Sequence, residues 1–238
     1  MNLGDHVGDV AGDVVANRSN FARQIGAKPI FLNQVHQFDV VQLTNGTPDG
    51  TVADACLTRQ PGVACTIMVA DCLPVLWVNR LGTVVAGAHA GWRGLAGVAT
   101  PAGPVGVLET CFFEFISSAL ATPEQNSPVA IARETLVWLG PCIGPTAFEV
   151  GDEVRDAFVA PNPAAATWFV AHGPGKWLAD LQGLARQRLR ALGITQIFGN
   201  DGSPPWCTAG NPSRFFSHRR DTTAGGSSGR MAASIWLT

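Results

Sequence analysis

Apolar positions along the chain follow two rhythms. Residues 10–26 (VAGDVVANRSNFARQIG) carry a helical pattern that ends at Gly26. Short apolar runs at 29–36, 38–43, 63–70, 74–79 and 83–89 predict strands. A Pro/Gly-rich entry containing Pro101 and Pro104 leads into a predicted helix over 105–120 (VGVLETCFFEFISSAL). Residues 121–133 read as a surface loop, 135–140 as a strand, 151–159 as a short helix and 166–171 as a strand. The clearest amphipathic helix is 177–193, where Leu178, Leu181, Leu184, Ala185, Leu189 and Leu192 share a face. Strands at 194–198 and 231–237 complete the set. Strands and helices mix without strict βαβ alternation. This favours mixed sheets with helices packed outside, an α+β or layered α/β architecture. No linker divides the chain, and 223–230 (TAGGSSGR) reads as an internal loop, so a single domain spanning 1–238 is expected.

Composition sharpens this picture. The chain is 46% hydrophobic and only 14% charged, against an average charged fraction of about 25%, which implies a large core. A net charge of −2 argues against a basic nucleic-acid surface. The opening MNLGDHVGDV lacks a cationic start before an apolar stretch, so it is not a secretory signal. Asn79 and Arg80 interrupt the best apolar run, so no membrane span is expected. A soluble, cytoplasmic protein is expected. Six cysteines in a chain of this size are not a disulfide framework, and most are expected in the core.

Three residues at the ends of strand-like runs stand out: His36, Cys72 and His89. Two imidazoles and a thiolate form a zinc-type ligand set with one coordination position open, as catalytic sites require. Their separations match no finger or knuckle, so the fold would have to assemble the site. Each also has a plainer reading: a strand-end histidine capped by a carbonyl, a buried cysteine at a turn, a histidine before a Gly-rich turn. Strand alternation would put Gln34 and His36 on one face and Asn33 on the other. Asp71 places a carboxylate beside Cys72. Arg93, between Gly91 and Gly94, is a candidate anion fork. Cys142 and Glu149 can line a pocket from the Gly-Pro-punctuated stretch 139–154. Arg214, Arg219, Arg220 and Arg230 form either a solvated basic edge or a phosphate-binding group.

The order NQVH, ADCLPVLW, HAGWRG, GPCIGPTAFEVG and RFFSHRRD…GR closely resembles the bacterial YfiH-type family, from about Leu3 to Leu237. That family is catalogued both as laccase-like multicopper polyphenol oxidases and as purine nucleoside phosphorylases. The resemblance implies a metal site, usually zinc, at His36, Cys72 and His89. It also implies a four-layer α/β/β/α fold. Implied activities are phosphorolysis of adenosine, inosine, guanosine and methylthioadenosine, deamination of adenosine and, for some members, editing of peptidoglycan precursors. Two departures are visible. Family members usually carry a further N-terminal segment with a Thr-Arg-x-Gly-Gly motif before the stretch that opens this chain. The final motif is stretched to TTAGGSSGR (222–230), where a shorter turn before Arg230 is common.

Three chemistries remain open. The first is a zinc-dependent purine nucleoside phosphorylase with adenosine deaminase activity, in which Arg93 or the Arg219/Arg220 pair holds phosphate. Zinc with an open position suits hydrolytic deamination, although the cytidine-deaminase signature H-x-E with P-C-x-x-C is absent. The second is a copper-dependent phenol oxidase; five histidines are too few for a multinuclear cluster, but a single His₂Cys copper is conceivable. The third is a metal-free hydrolase with Cys72 as nucleophile and His89 as base.

Overall fold

The structure, a computed structural model, describes residues 1–120, 127–223 and 225–238. Seven helices and fourteen strands alternate irregularly among these residues. In chain order they are α1 (Ala11–Ile25), β1 (Lys28–Phe31), β2 (Val40–Gln42), β3 (Ala55–Thr58), β4 (Val63–Val69), β5 (Leu73–Val78) and β6 (Val85–Ala90). There follow α2 (Trp92–Ala96), β7 (Val98–Thr100), β8 (Gly103–Val105), α3 (Val107–Leu120), α4 (Pro128–Glu134) and β9 (Leu136–Leu139). The remainder are β10 (Glu149–Gly151), α5 (Asp152–Val159), β11 (Phe169–Ala171), β12 (Lys176–Ala179), α6 (Leu181–Ala191), β13 (Gln196–Gly199), α7 (His218–Asp221) and β14 (Met231–Trp236). No helix among the described residues is long and apolar enough to cross a membrane.

The protein is a mixed α/β structure with several sheets. A six-stranded sheet runs β13-β9-β5-β6-β3-β2 and contains both parallel and antiparallel pairs. A three-stranded sheet, β1-β4-β14, is also mixed. Smaller sheets are β10-β12-β11 and the β7-β8 hairpin.

Alternation along β5 and β6 explains how the large sheet is covered. Leu73, Val75 and Trp77, with Ala86, Ala88 and Ala90, join a core formed with Leu108, Cys111, Phe112 and Phe115 of α3. Trp77 packs between the rings of Phe112 and Phe115, with centroids at 5.7 and 6.1 Å. Leu76 and Val85 point the other way, into a second core with Ile30, Cys65, Ile67 and Val69 of the three-stranded sheet. Gly87 of β6 lets the sheets approach closely; a Cβ there would meet Ile67 Cγ1 at 2.9 Å. β4 is buried at every position, because Met68 and Phe31 face a third cluster with Leu3 and Phe21 of α1. A buried ion pair locks α6 to α3: Arg188 Nε and Nη2 each donate to Glu109 at 2.7 Å.

Several expected elements shift. The strand predicted over 29–36 ends at Phe31, and the helix predicted from 177 begins at Leu181, after β12. Asp180 caps that helix by accepting from the Gly183 N–H. The strand expected at 166–171 opens as a 3₁₀ turn, Pro163–Trp168. Of the loop expected at 121–133, residues 121–126 lie outside the described residues, and Pro128 starts a helix. Strand β3 was not apparent from the pattern, because its four residues are buried on both faces and show no alternation.

Candidate metal centre

The three candidate ligands come together. One donor atom from each of His36, Cys72 and His89 lies within 4.8 Å of the others. Cys72 Sγ is 3.8 Å from His36 Nε2, close to the roughly 3.5 Å that separates donors around a tetrahedral zinc. The two imidazole rings cross at 73° with centroids 4.8 Å apart. The donor set therefore fits a metal ion.

Each ligand arrives by a different route. His89 lies on β6, on the side facing the three-stranded sheet with Val85 and Gly87. Cys72 ends the connection 70–72, where the chain leaves β4 and enters β5 in the other sheet. Asp71, just before it, adopts φ 87°. His36 follows β1 in a left-handed conformation, φ 62°, which costs a non-glycine residue about 1–2 kcal/mol.

Asp54 holds that conformation in place. Its carboxylate is fully buried and accepts the backbone N–H groups of Val35, His36 and Gln37 at 3.0, 2.9 and 2.8 Å. It also accepts from His89 Nδ1 at 2.8 Å. The carboxylate thus replaces the strand ladder that the sequence predicted through His36, and leaves Nε2 as the free donor of His89. Burial alone would raise Asp54, but the hydrogen bonds from His89, Gln37 and Val35 hold its carboxyl below the ordinary range. Nothing in the ligand pattern pointed to this residue. The available signal was a lone acid in the otherwise apolar stretch preceding β3.

Burial pushes the Cys72 thiol up, yet the charge of His89 and hydrogen bonds from His36 and His89 outweigh it and bring the thiol down to about 6. Burial likewise disfavours the His89 cation, but Cys72 and Asp54 raise that imidazole to about 9. Both shifts favour a thiolate–imidazolium pair when no metal is bound.

Glycines make room for this cluster. A Cβ on Gly91 would lie 3.0 Å from both Cys72 Sγ and His36 Cδ2, and one on Gly94 would lie 2.6 Å from the Gln37 carbonyl oxygen. The Gly-rich turn after His89 thus serves close approach of ligand-bearing chain.

A cavity of about 250 Å³ opens on the cluster. Met68, Val69, Trp92, Ile143, Phe148 and Leu181 supply its apolar lining. Arg219 and Arg230 supply its cations, and His6 and His218 add imidazoles to the lining.

The other candidate residues divide between this cavity and the scaffold. Gln34 borders the cavity, but its amide is bonded at both ends to the Met68 backbone, at 2.8 and 2.9 Å. Asp71 also borders it; its carboxylate accepts from Thr208 Oγ1, from Ser217 Oγ at 3.0 Å and from Arg219 N at 2.7 Å. Arg220 ties neighbouring loops together through Asp221 and the Thr208 and Phe215 carbonyls. Arg93 is exposed and stacks on Trp92 at 4.5 Å. Arg214 stacks on Phe215 at 5.0 Å. Cys142 is buried against Gln182 and Asn200, and burial raises its thiol well above the usual value. Glu149 accepts from His172 at 2.9 Å, and Asn33 is exposed, its backbone bridging to Val52. None of these last six borders the cavity. His218 does, and it was not singled out in the sequence.

Over residues 1–238 the chain matches the family described as multi-copper polyphenol oxidoreductase laccase. It is 46% identical to the purine nucleoside phosphorylase YfiH of Escherichia coli, over 100% of this chain and 86% of that protein. The chain belongs to the YfiH family. Another member, the purine nucleoside phosphorylase PA4543 of Pseudomonas aeruginosa, is 44% identical over the same shares. The crystal structure of NMB0706 from Neisseria meningitidis superposes with a TM-score of 0.81 at 45% identity, covering 99% of this chain and 86% of that one.

Proposed function

We propose that this YfiH-family chain is a zinc-dependent purine nucleoside phosphorylase with adenosine deaminase activity. One observation carries the reading: the His36–Cys72–His89 cluster opens into a cavity with an aromatic, apolar lining and two arginines, Arg219 and Arg230, that form no ion pair among the described residues. A purine nucleoside and phosphate need those surfaces together. The relatives named for this activity match the whole chain, which supports the same reading.

Trp92 and Phe148 offer flat apolar surface to a purine, with Met68, Ile143 and Leu181 excluding water around it. Enclosing nucleoside and phosphate in one cavity holds the sugar C1′ and the attacking oxygen near reacting distance. His36, Cys72 and His89 would hold the metal, which supplies Lewis-acid polarisation when bound. Asp54 fixes the orientation of the His89 imidazole and the backbone that carries His36. In architecture, we read α1, the three-stranded sheet, the six-stranded sheet and α3 with α6 as the four layers of a single α/β/β/α domain.

Zinc-loaded protein incubated with adenosine and phosphate is expected to yield adenine and ribose 1-phosphate, and inosine where deamination occurs. Absence of all three from metal-loaded protein overturns the proposal. Inosine, guanosine and methylthioadenosine are the other substrates to assay.

A second reading is a metal-free hydrolase. The Cys72 thiolate, the His89 imidazolium and the Asp54 carboxylate form a Cys–His–Asp series, the arrangement that activates a cysteine nucleophile. Metal analysis separates the readings: about one zinc per chain supports the phosphorylase and none supports the hydrolase. Copper would support a phenol oxidase. Among the described residues no second group of three His, Cys or acidic donors is present, so the donors for a multinuclear copper cluster are lacking.

A further inference from the structure

Arg230 is a half-buried guanidinium without a carboxylate. It borders the cavity, yet only its Nη1 finds protein acceptors, the Ser228 and Gly229 carbonyls at 2.8 and 3.2 Å. Among the described residues no Asp or Glu forms an ion pair with it. Its Nε and Nη2 have no protein acceptor among the described residues. Burial works against its charge, and the nearby Cys72 and Asp71 charges offset that only partly. A desolvated cation of this kind is costly unless an anion joins it.

The backbone of Arg230 and the stem of its side chain are nevertheless held in place. The Arg230 backbone N–H donates to Asn2 Oδ1 at 2.7 Å, and its carbonyl accepts from Leu3 N at 3.0 Å. Gly4 packs so tightly that a Cβ there would lie 2.7 Å from Arg230 Cγ. Arg219 borders the same cavity, also without an ion-pair partner among the described residues; it spends Nη2 on the Glu149 carbonyl at 2.9 Å. His218 stands beside it in the lining. The one carboxylate among the residues lining the cavity, Asp71, accepts from three neutral protein donors and makes no ion pair with these arginines, its charge offsetting the burial of Arg230 only in part.

We propose that Arg230, with Arg219 and His218, forms an oxyanion subsite that takes inorganic phosphate beside the metal-ligand cluster. The identity of the anion as co-substrate rests on the phosphorylase reading; the existence of the subsite does not. The subsite also replaces two sequence-based expectations for phosphate, since Arg93 lies outside the cavity and Arg220 is consumed by loop contacts.

Isothermal titration of metal-free protein with inorganic phosphate, without nucleoside, tests the subsite directly. Arg230→Gln is expected to weaken phosphate binding at least about ten-fold, as loss of a charge-assisted hydrogen-bonding pair does. Arg230→Lys should recover part of it. Arg219→Gln should weaken binding in the same direction, and it serves as the test if Arg230→Gln fails to fold. In turnover assays the KM for phosphate should rise by a similar factor, with the KM for nucleoside unchanged. Phosphate affinity that is the same in Arg219→Gln and Arg230→Gln as in the parent overturns the proposal. So does an effect seen with a nucleoside 5′-monophosphate but not with free phosphate, which would assign the arginines to a nucleotide. Arginine-dependent phosphate binding without any nucleoside turnover would uphold the subsite and remove the phosphorylase reading.

Discussion

Asp54 Oδ1 accepts the Nδ1 proton of His89 at 2.8 Å, while the same carboxylate gathers the backbone turn that carries His36. One buried acid therefore sets the tautomer of one ligand and the backbone conformation of another. Asp54→Asn is expected to lower zinc affinity by about 10–100-fold, as loss of an outer-sphere carboxylate does. Competition with a chromophoric chelator measures it. An affinity within two-fold of the parent would show that the carboxylate is dispensable for ligation.

Gly91 faces Cys72 and His36 at the same distance. Gly91→Ala should push both donors outward and weaken zinc binding by about ten-fold or more, with the circular dichroism spectrum retained. The comparison with a surface Gly12→Ala variant, which meets nothing within 4 Å, isolates the crowding effect.

In metal-free protein the Cys72 thiolate should appear as pH rises through about 6. The ultraviolet absorbance of the thiolate, read as the difference from Cys72→Ser, follows it. Cys65, Cys111 and Cys142 are all pushed up by burial and stay protonated in that window. A Cys72 midpoint at the ordinary thiol value near 8.5 would deny the imidazolium pairing.

Zinc binding then has a definite proton balance. At pH 7.5 the Cys72 thiol has already ionised, whereas His89, raised to about 9, still holds its second proton. Ligation needs a neutral imidazole, so this pair should release about one proton, from His89 rather than from the thiol. Calorimetry in buffers of different ionisation enthalpy counts it.

Away from the site, Arg188 and Glu109 form the buried pair that locks α6 to α3. Arg188→Met strands a buried carboxylate and should cost about 3–5 kcal/mol in urea unfolding. The double variant Arg188→Met/Glu109→Leu should recover much of that loss. Neither change should alter zinc affinity.

The ligand set was legible because its residue types are distinctive and each sits beside an apolar run. What the pattern misjudged was the chain around them. Periodicity continues a strand through Gln34 and His36, but it carries no information on a carboxylate 18 positions away that captures three successive N–H groups. The arginines show the same limit. Clustering in sequence groups Arg214, Arg219, Arg220 and Arg230 together, and only packing separates the two that border the cavity from the two spent on local stacking and loop contacts. Amphipathic α6 was evident from its leucine spacing, whereas β3, enclosed on all sides, had no rhythm to read.

The passage of residues 70–72 from one sheet to the other would give a bound ion a mechanical part. His36 is borne by the loop that follows β1 of the small sheet, His89 by the large sheet, and Cys72 by the span between them. A cation seated there rivets the two layers at their shared rim. Stripping it should quicken amide hydrogen exchange along the seam between β4 and β6 while helix α3, on the far side, keeps its protection.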